Sequence, residues 1–114
     1  MSEADCIFCR IVRGEIDAEL VHDEDDVLAF EDIDSKAPVH VLVIPRQHVA
    51  NLEEISALPD TVVKRLFEVA SEVAEKLGVT EGGYAVRINN GRDAGQEVFH
   101  LHLHVMGGKR RGMP

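Results

Sequence analysis

The chain has no tryptophan, one tyrosine and four phenylalanines in 114 residues. Val, Leu, Ile and Ala must therefore fill most of its core. It also lacks any run of 18 apolar residues, which excludes a helical membrane span. Its start, MSEADCIFCR, has neither the basic beginning nor the apolar centre of a secretory leader, so a cytoplasmic location is expected. Cysteine is limited to Cys6 and Cys9. In a reducing compartment a C-x-x-C pair points to metal or redox chemistry before a structural disulfide. Positive charge is scarce: 12 Lys and Arg face 21 Asp and Glu, a formal charge of -9. That disfavours a nucleic-acid coat, which needs a broad basic surface. A small anionic ligand held by backbone amides and a few local cations stays compatible with it.

What is present suits one domain over residues 1–114. The chain is 45% apolar, and this length can bury a modest core. The segment CIFCRIVRGEI repeats apolar residues at spacings of three and four, which predicts a short helix stopped near Gly14. AELVHDE and DVLAFED read as a hairpin, and HVLVIPR, from His40, as a strand ending at Pro45. Val62, Leu66, Val69, Val73 and Leu77 mark a long helix from about Pro59 to Leu77, with Gly78 as its stop. GYAVRIN is a further strand, NGRDAGQ a turn-rich loop, and EVFHLHLHVM an alternating strand. Strands around one long helix, without βαβ alternation, indicate an α+β fold with a mainly antiparallel sheet.

The segment FHLHLHV places His100, His102 and His104 at every second position. In a strand they share one face, with Phe99, Leu101, Leu103 and Val105 on the other. Neighbouring imidazoles then start roughly 6.5 Å apart, and the outer two about 13 Å apart. One ion with bonds of about 2 Å to nitrogen can take two neighbours but not easily all three. The spacing favours a row of groups with different tasks; a solvent-facing polar strand is the plainer alternative. Neutral imidazole is available near pH 7 as a nucleophile or base. The preceding loop, NNGRDAGQE, carries Gly91 and Gly95, and its amides can converge on an anion. An anion site beside a nucleophilic histidine suggests attack on phosphorus or on an acyl carbon.

The motif HLHLHVM resembles the histidine-triad (HIT) signature. CIFCRIVRGEI, LAFEDIDSKAPVHVLVIPRQHV and NNGRDAGQEVFHLHLHVMGG extend the likeness to the nucleotide-binding (Hint) branch over about residues 6 to 108. The resemblance implies a HIT-like fold with a five-stranded antiparallel sheet, one long helix and a short N-terminal helix. It implies a homodimer with one ten-stranded sheet. The implied activity is hydrolysis at the α-phosphorus of purine nucleoside phosphoramidates or aminoacyl- and lysyl-adenylates. His102 matches the nucleophile, His104 the phosphate-contacting histidine, and His40 an assisting histidine. Asn89 and the amides around Gly95, Glu97 and Val98 match the phosphate loop. Asp32 matches the ribose-binding carboxylate, although by composition alone it is one of many surface acids. Ile7, Phe8, Ile11, Phe30 and Ile33 match the walls around the base. Many members carry Ser or Thr where this chain has Glu97, whose carboxylate cannot donate to phosphate. The basic run in KRRGMP suits an acidic leaving group or a solvated end.

Some relatives with this C-x-x-C bind structural zinc, and the resemblance then assigns Cys6, Cys9, His48 and His100 as ligands. An empty reduced pair and a redox pair are the alternatives, the last weakened by the missing βαβ pattern. His22 matches nothing in the family and is expected to be exposed. Other functional readings are a nucleotide-sensing or partner-binding module with little turnover, and a dinucleoside polyphosphate hydrolase.

Overall fold

Alternation of side chains along the central strands gives the protein a sheet with two different faces. The structure, a computed structural model, describes residues 5–108; the basic tail at 109–114 lies outside them. Elements run in the order α1 (Ile7–Val12), β1 (Leu20–Asp23), β2 (Val27–Glu31), β3 (Val39–Pro45), α2 (Asp60–Lys76), β4 (Tyr84–Arg87) and β5 (Leu103–Gly107). The five strands form one sheet in the order β1-β2-β3-β5-β4, with every pair antiparallel. The α+β expectation holds.

Val27, Ala29, Val41, Val43, Leu103 and Val105 project from one face and pack under Leu66, Val69 and Val73 of α2. Their neighbours Leu28, Phe30, Leu42 and Ile44 project from the other face and pack with Cys6, Phe8 and Cys9. Helix α2 is long enough to cover its face. Helix α1 has only six residues and covers part of the other, leaving His40, His104 and Met106 along an open cavity. Among the described residues, the cavity thus occupies the part of the second face that α1 leaves uncovered.

Helix α2 starts one residue later than expected, with Pro59 as N-cap; the Pro59 carbonyl accepts the Val62 and Val63 amides. It ends as the Gly78 signal predicts. Gly78 takes φ +78°, its N–H bonds to the Glu75 carbonyl, and the Val79 N–H bonds to the Ala74 carbonyl, a Schellman closure. Two 3-10 turns, Leu52–Ala57 and Arg92–Ala94, lie in segments without apolar periodicity.

The largest correction concerns the histidine strand. The ladder begins only at Leu103, opposite Val43. The next rung would pair Leu101 with Pro45, which has no N–H to give. The Leu101 N–H goes instead to the Val49 carbonyl at 2.8 Å, and the Pro45 carbonyl accepts from the His100 ring at 2.8 Å. Residues 97–102 are consequently outside the sheet. Leu101 still enters the α2 core, while His100 and His102 meet Phe8 on the other side.

Candidate active site and metal centre

Cys6 caps the N-terminus of α1, its sulfur accepting the Cys9 amide. Cys9 lies in the helix's first turn, His48 follows β3, and His100 precedes β5. These four side chains converge, with their donor atoms all within 4.8 Å of one another. The Cys9 sulfur is 3.1 Å from His48 Nδ1 and 3.5 Å from His100 Nδ1. The Cys6 sulfur is 3.5 Å from His100 Nδ1, and the two Nδ1 atoms are 3.3 Å apart. His100 donates its Nε2–H to the Pro45 carbonyl, which leaves the Nδ1 lone pair facing the sulfurs. Burial lowers the His100 pKa to about 4 and keeps that ring neutral. Tetrahedral zinc, with bonds of about 2.3 Å to sulfur and about 2.05 Å to nitrogen, spaces S and N by about 3.6 Å and two nitrogens by about 3.3 Å. The donor set, its spacing and the fixed His100 tautomer all fit such an ion.

A separate cavity of about 660 Å³ opens beside this cluster, a size suited to a small ligand. Every residue expected to contact nucleotide lines it. Ile7, Phe8, Ile11, Phe30 and Ile33 form its apolar end with Asp32 beside them. Phe8 and Phe30 meet edge to face, with centroids 5.3 Å apart. Ile33 is fully exposed at the rim. His40, His102 and His104 occupy the middle, and Asn89, Gly95, Glu97 and Val98 lie toward the loop.

The loop is stapled by buried Gln96, which sequence reading did not single out. Its side chain accepts the Gly91 N–H and donates to the Ala50 and Val98 carbonyls. Gly95, at φ +88°, turns its N–H back to the Arg92 carbonyl, so that amide is engaged within the loop. Among the described residues no acceptor meets the amides of Glu97 and Val98.

Protons in the histidine row can be placed by their partners. The Lys36 amide donates to His40 Nδ1 at 2.9 Å. Neutral His40 therefore carries its hydrogen on Nε2 and gives it to His104 Nδ1, also at 2.9 Å. His104 then carries its own hydrogen on Nε2, which is buried and, among the described residues, without a partner. His102 donates Nδ1–H to the His100 carbonyl at 2.7 Å, leaving a lone pair on Nε2. Desolvation lowers the pKa of His40 and of His102 and takes that of His104 to about 4. All three are neutral near pH 7. Asp32, His40 and His104 also group closely enough to suggest an ion. The Lys36 amide argues against one, because His40 Nε2 is a donor. Asp32 Oδ2 sits 3.4 Å from that nitrogen, and Oδ1 accepts the Asp34 amide.

His22 departs from expectation: it is half-buried and paired with Glu24, which Arg65 also grips. Lys36, Leu42, Arg87 and Met106 line the cavity as well but were not foreseen. Arg87 and Met106 reach it through the pairing of β4 with β5, which links residues distant in sequence.

A five-stranded antiparallel sheet with a histidine row facing a nucleotide-sized cavity defines a class that comparison with known proteins names. The HIT domain matches residues 13–111, and the chain belongs to that family. Purine nucleoside phosphoramidase of Escherichia coli K12 is 40% identical over 106 residues, covering 93% of this chain and 89% of that protein. A histidine triad protein from Clostridium difficile superposes with TM-score 0.89 at 40% identity, covering 100% of this chain and 99% of that one. A HIT family hydrolase from Clostridium thermocellum gives 0.88 at 39% identity, covering 96% of each chain. These likenesses support a hydrolase.

Proposed function

We propose that the chain hydrolyses purine nucleoside phosphoramidates, or aminoacyl- and lysyl-adenylates, at the α-phosphorus through a covalent nucleotidyl-His102. The observation that carries this reading is the pinned tautomer of His102. Its Nδ1–H is held by the His100 carbonyl, so Nε2 offers a lone pair in a ring kept neutral by burial. Nε2 attacks phosphorus and the P–N or P–O bond to the leaving group breaks; an amine leaves protonated, with its proton supplied from solvent. Water then cleaves the P–Nε2 bond, releasing the nucleoside monophosphate and free His102. Dividing one displacement into two lowers each barrier.

Charge accumulates on the non-bridging oxygens during both steps. The orphan Nε2–H of His104 is a preorganised donor for them, held in register by the His40 and Lys36 chain. The amides of Glu97 and Val98 and the side-chain amide of Asn89 add further donors; the Glu97 carboxylate turns away from phosphate. Asp32 accepts the ribose hydroxyls, and Ile7, Phe8, Ile11, Phe30 and Ile33 enclose the base. The likeness to the purine nucleoside phosphoramidase of E. coli supports a purine as that base.

Cys6, Cys9, His48 and His100 would hold structural zinc, which would tie α1 to the ends of β3 and β5 and supply no chemistry to the displacement. Phe8, between the two cysteines, sets its ring edge against His102 with centroids 5.2 Å apart, so anchoring α1 keeps that wall in place. Two copies in the cytoplasm join through α2 and the free edge of β4 into a ten-stranded sheet. Exposed Phe67 and Val86 supply apolar surface for that junction.

Turnover of adenosine 5′-phosphoramidate by the wild type and by His102→Ala tests the proposal. Loss of the nucleophile should cost about a thousandfold or more. Equal rates would contradict the mechanism, and nucleotide binding without turnover in the wild type would favour a sensing role.

A further inference from the structure

Arg87 is a cation in the active cavity to which no role has been given. It sits on β4 directly opposite His104 of β5 and lines the cavity on the same face. Its Nε–H donates to Asn89 Oδ1 at 2.8 Å. Among the described residues no carboxylate pairs with its guanidinium. In a chain of charge -9 such an unpaired arginine is conspicuous: Arg46 and Arg65 both have acidic partners.

Sheet order fixes which end of a substrate it meets. The apolar end of the cavity belongs to α1 and β2, and the histidines to β3 and β5 with the segment leading into it. Strand β4 lies beyond them, at the opposite edge of the sheet. A nucleoside at the apolar end, with its phosphorus at His102, directs its leaving group away from α1 and β2. The bond from Arg87 to Asn89 Oδ1 also orients that amide, turning its N–H groups away from Arg87. The terminal N–H pair of the guanidinium is left for an oxyanion, which it can grip as a fork.

We propose that Arg87 is a specificity-determining residue that selects nucleotides whose leaving group carries its own negative charge. This rests on the hydrolase reading above and narrows its substrate class. The shared chemistry is an oxyanion near the scissile bond, either a carboxylate of an amino-acid leaving group or a further phosphate. Lys36 also lines the cavity, but its ammonium is paired with Asp34.

The test uses the full chain and three substrates: the adenosine 5′-phosphoramidates of glycine and of glycinamide, and diadenosine tetraphosphate. The readout is kcat/KM for glycine or for the tetraphosphate divided by that for glycinamide, in the wild type, Arg87→Met and Arg87→Lys. Dividing by the glycinamide value removes any general damage to folding or to Asn89. Loss of a charge-assisted contact should lower at least one ratio about tenfold in Arg87→Met, and lysine should restore part of it. A fall in the glycine ratio identifies a carboxylate, and a fall in the tetraphosphate ratio a phosphate. Ratios unchanged in Arg87→Met, with all substrates falling together or none falling, would overturn the inference. Failure of the wild type to cleave any of the three would instead overturn the hydrolase reading, and the inference with it.

Discussion

His104 has a buried Nε2–H with no acceptor among the described residues, a costly arrangement for a folded chain. The same burial lowers the pKa of His104 to about 4, against about 6.5 for a free imidazole. Between those values the unfolded chain binds the proton that the folded chain refuses. Stability therefore rises with pH through that window and is lost as pH falls from about 6.5 toward 4. His40, shifted in the same direction by burial, adds to the trend. Replacing His104 with Asn should flatten the dependence. Urea unfolding at pH 6.5 and pH 4 measures it, and an equal loss in wild type and variant would contradict the assignment. The site was partly legible at this scale. Two-residue periodicity in FHLHLHV correctly separates the histidines from the leucines. Asp32 is one of many acids by composition, and only its match to the family set it apart. Arg87 was invisible because its place at the cavity depends on a partner 17 positions away, His104.

At the scale of elements, the sequence reveals most where a local signal also fixes the backbone. Gly78 is such a case: it has φ +78° and nothing within 4 Å of where a Cβ would stand. Gly78→Ala should therefore cost only the left-handed backbone strain, about 1–2 kcal/mol, in a denaturant titration. A change below a few tenths would show that the closure of α2 tolerates a side chain. The start of β5 was not legible, because a missing donor at Pro45 ends the ladder from the neighbouring strand. Helix α1 depends least on its own length, since six residues make a marginal helix in water. Its anchor is the cysteine–histidine cluster. Purified under reducing, zinc-replete conditions, the protein should carry close to one zinc per chain. Chelation should lower its melting temperature by about 10 °C, from about 2.7 kcal/mol of binding stabilisation at a hundredfold excess over the dissociation constant. Elemental analysis showing no zinc would contradict the ligand assignment.

At the scale of the whole molecule, the sheet divides the protein's tasks between its two faces. One face, under α2, is core. The other holds the cysteine–histidine cluster at one place and the cavity proposed for nucleotide beside it, with Phe8 touching both His100 and His102. Strand β4 ends the sheet, and Val86 on it is 41% exposed. The proposed ten-stranded assembly predicts a dimer in sedimentation equilibrium. Val86→Glu, which sets like charges across the two-fold axis, should shift it toward monomer, and a monomeric wild type would contradict the assembly. All of this organisation serves one claim, that His102 Nε2 takes the nucleotide from its leaving group. The most direct test is to quench the reaction with adenosine 5′-phosphoramidate within milliseconds and locate any adenylyl group by mass spectrometry of peptides under conditions that preserve phosphohistidine. The account predicts an adenylyl adduct on His102 that decays as adenosine monophosphate appears, and none in His102→Ala. Product formation with no adduct at His102, or with an adduct on another residue, would contradict it.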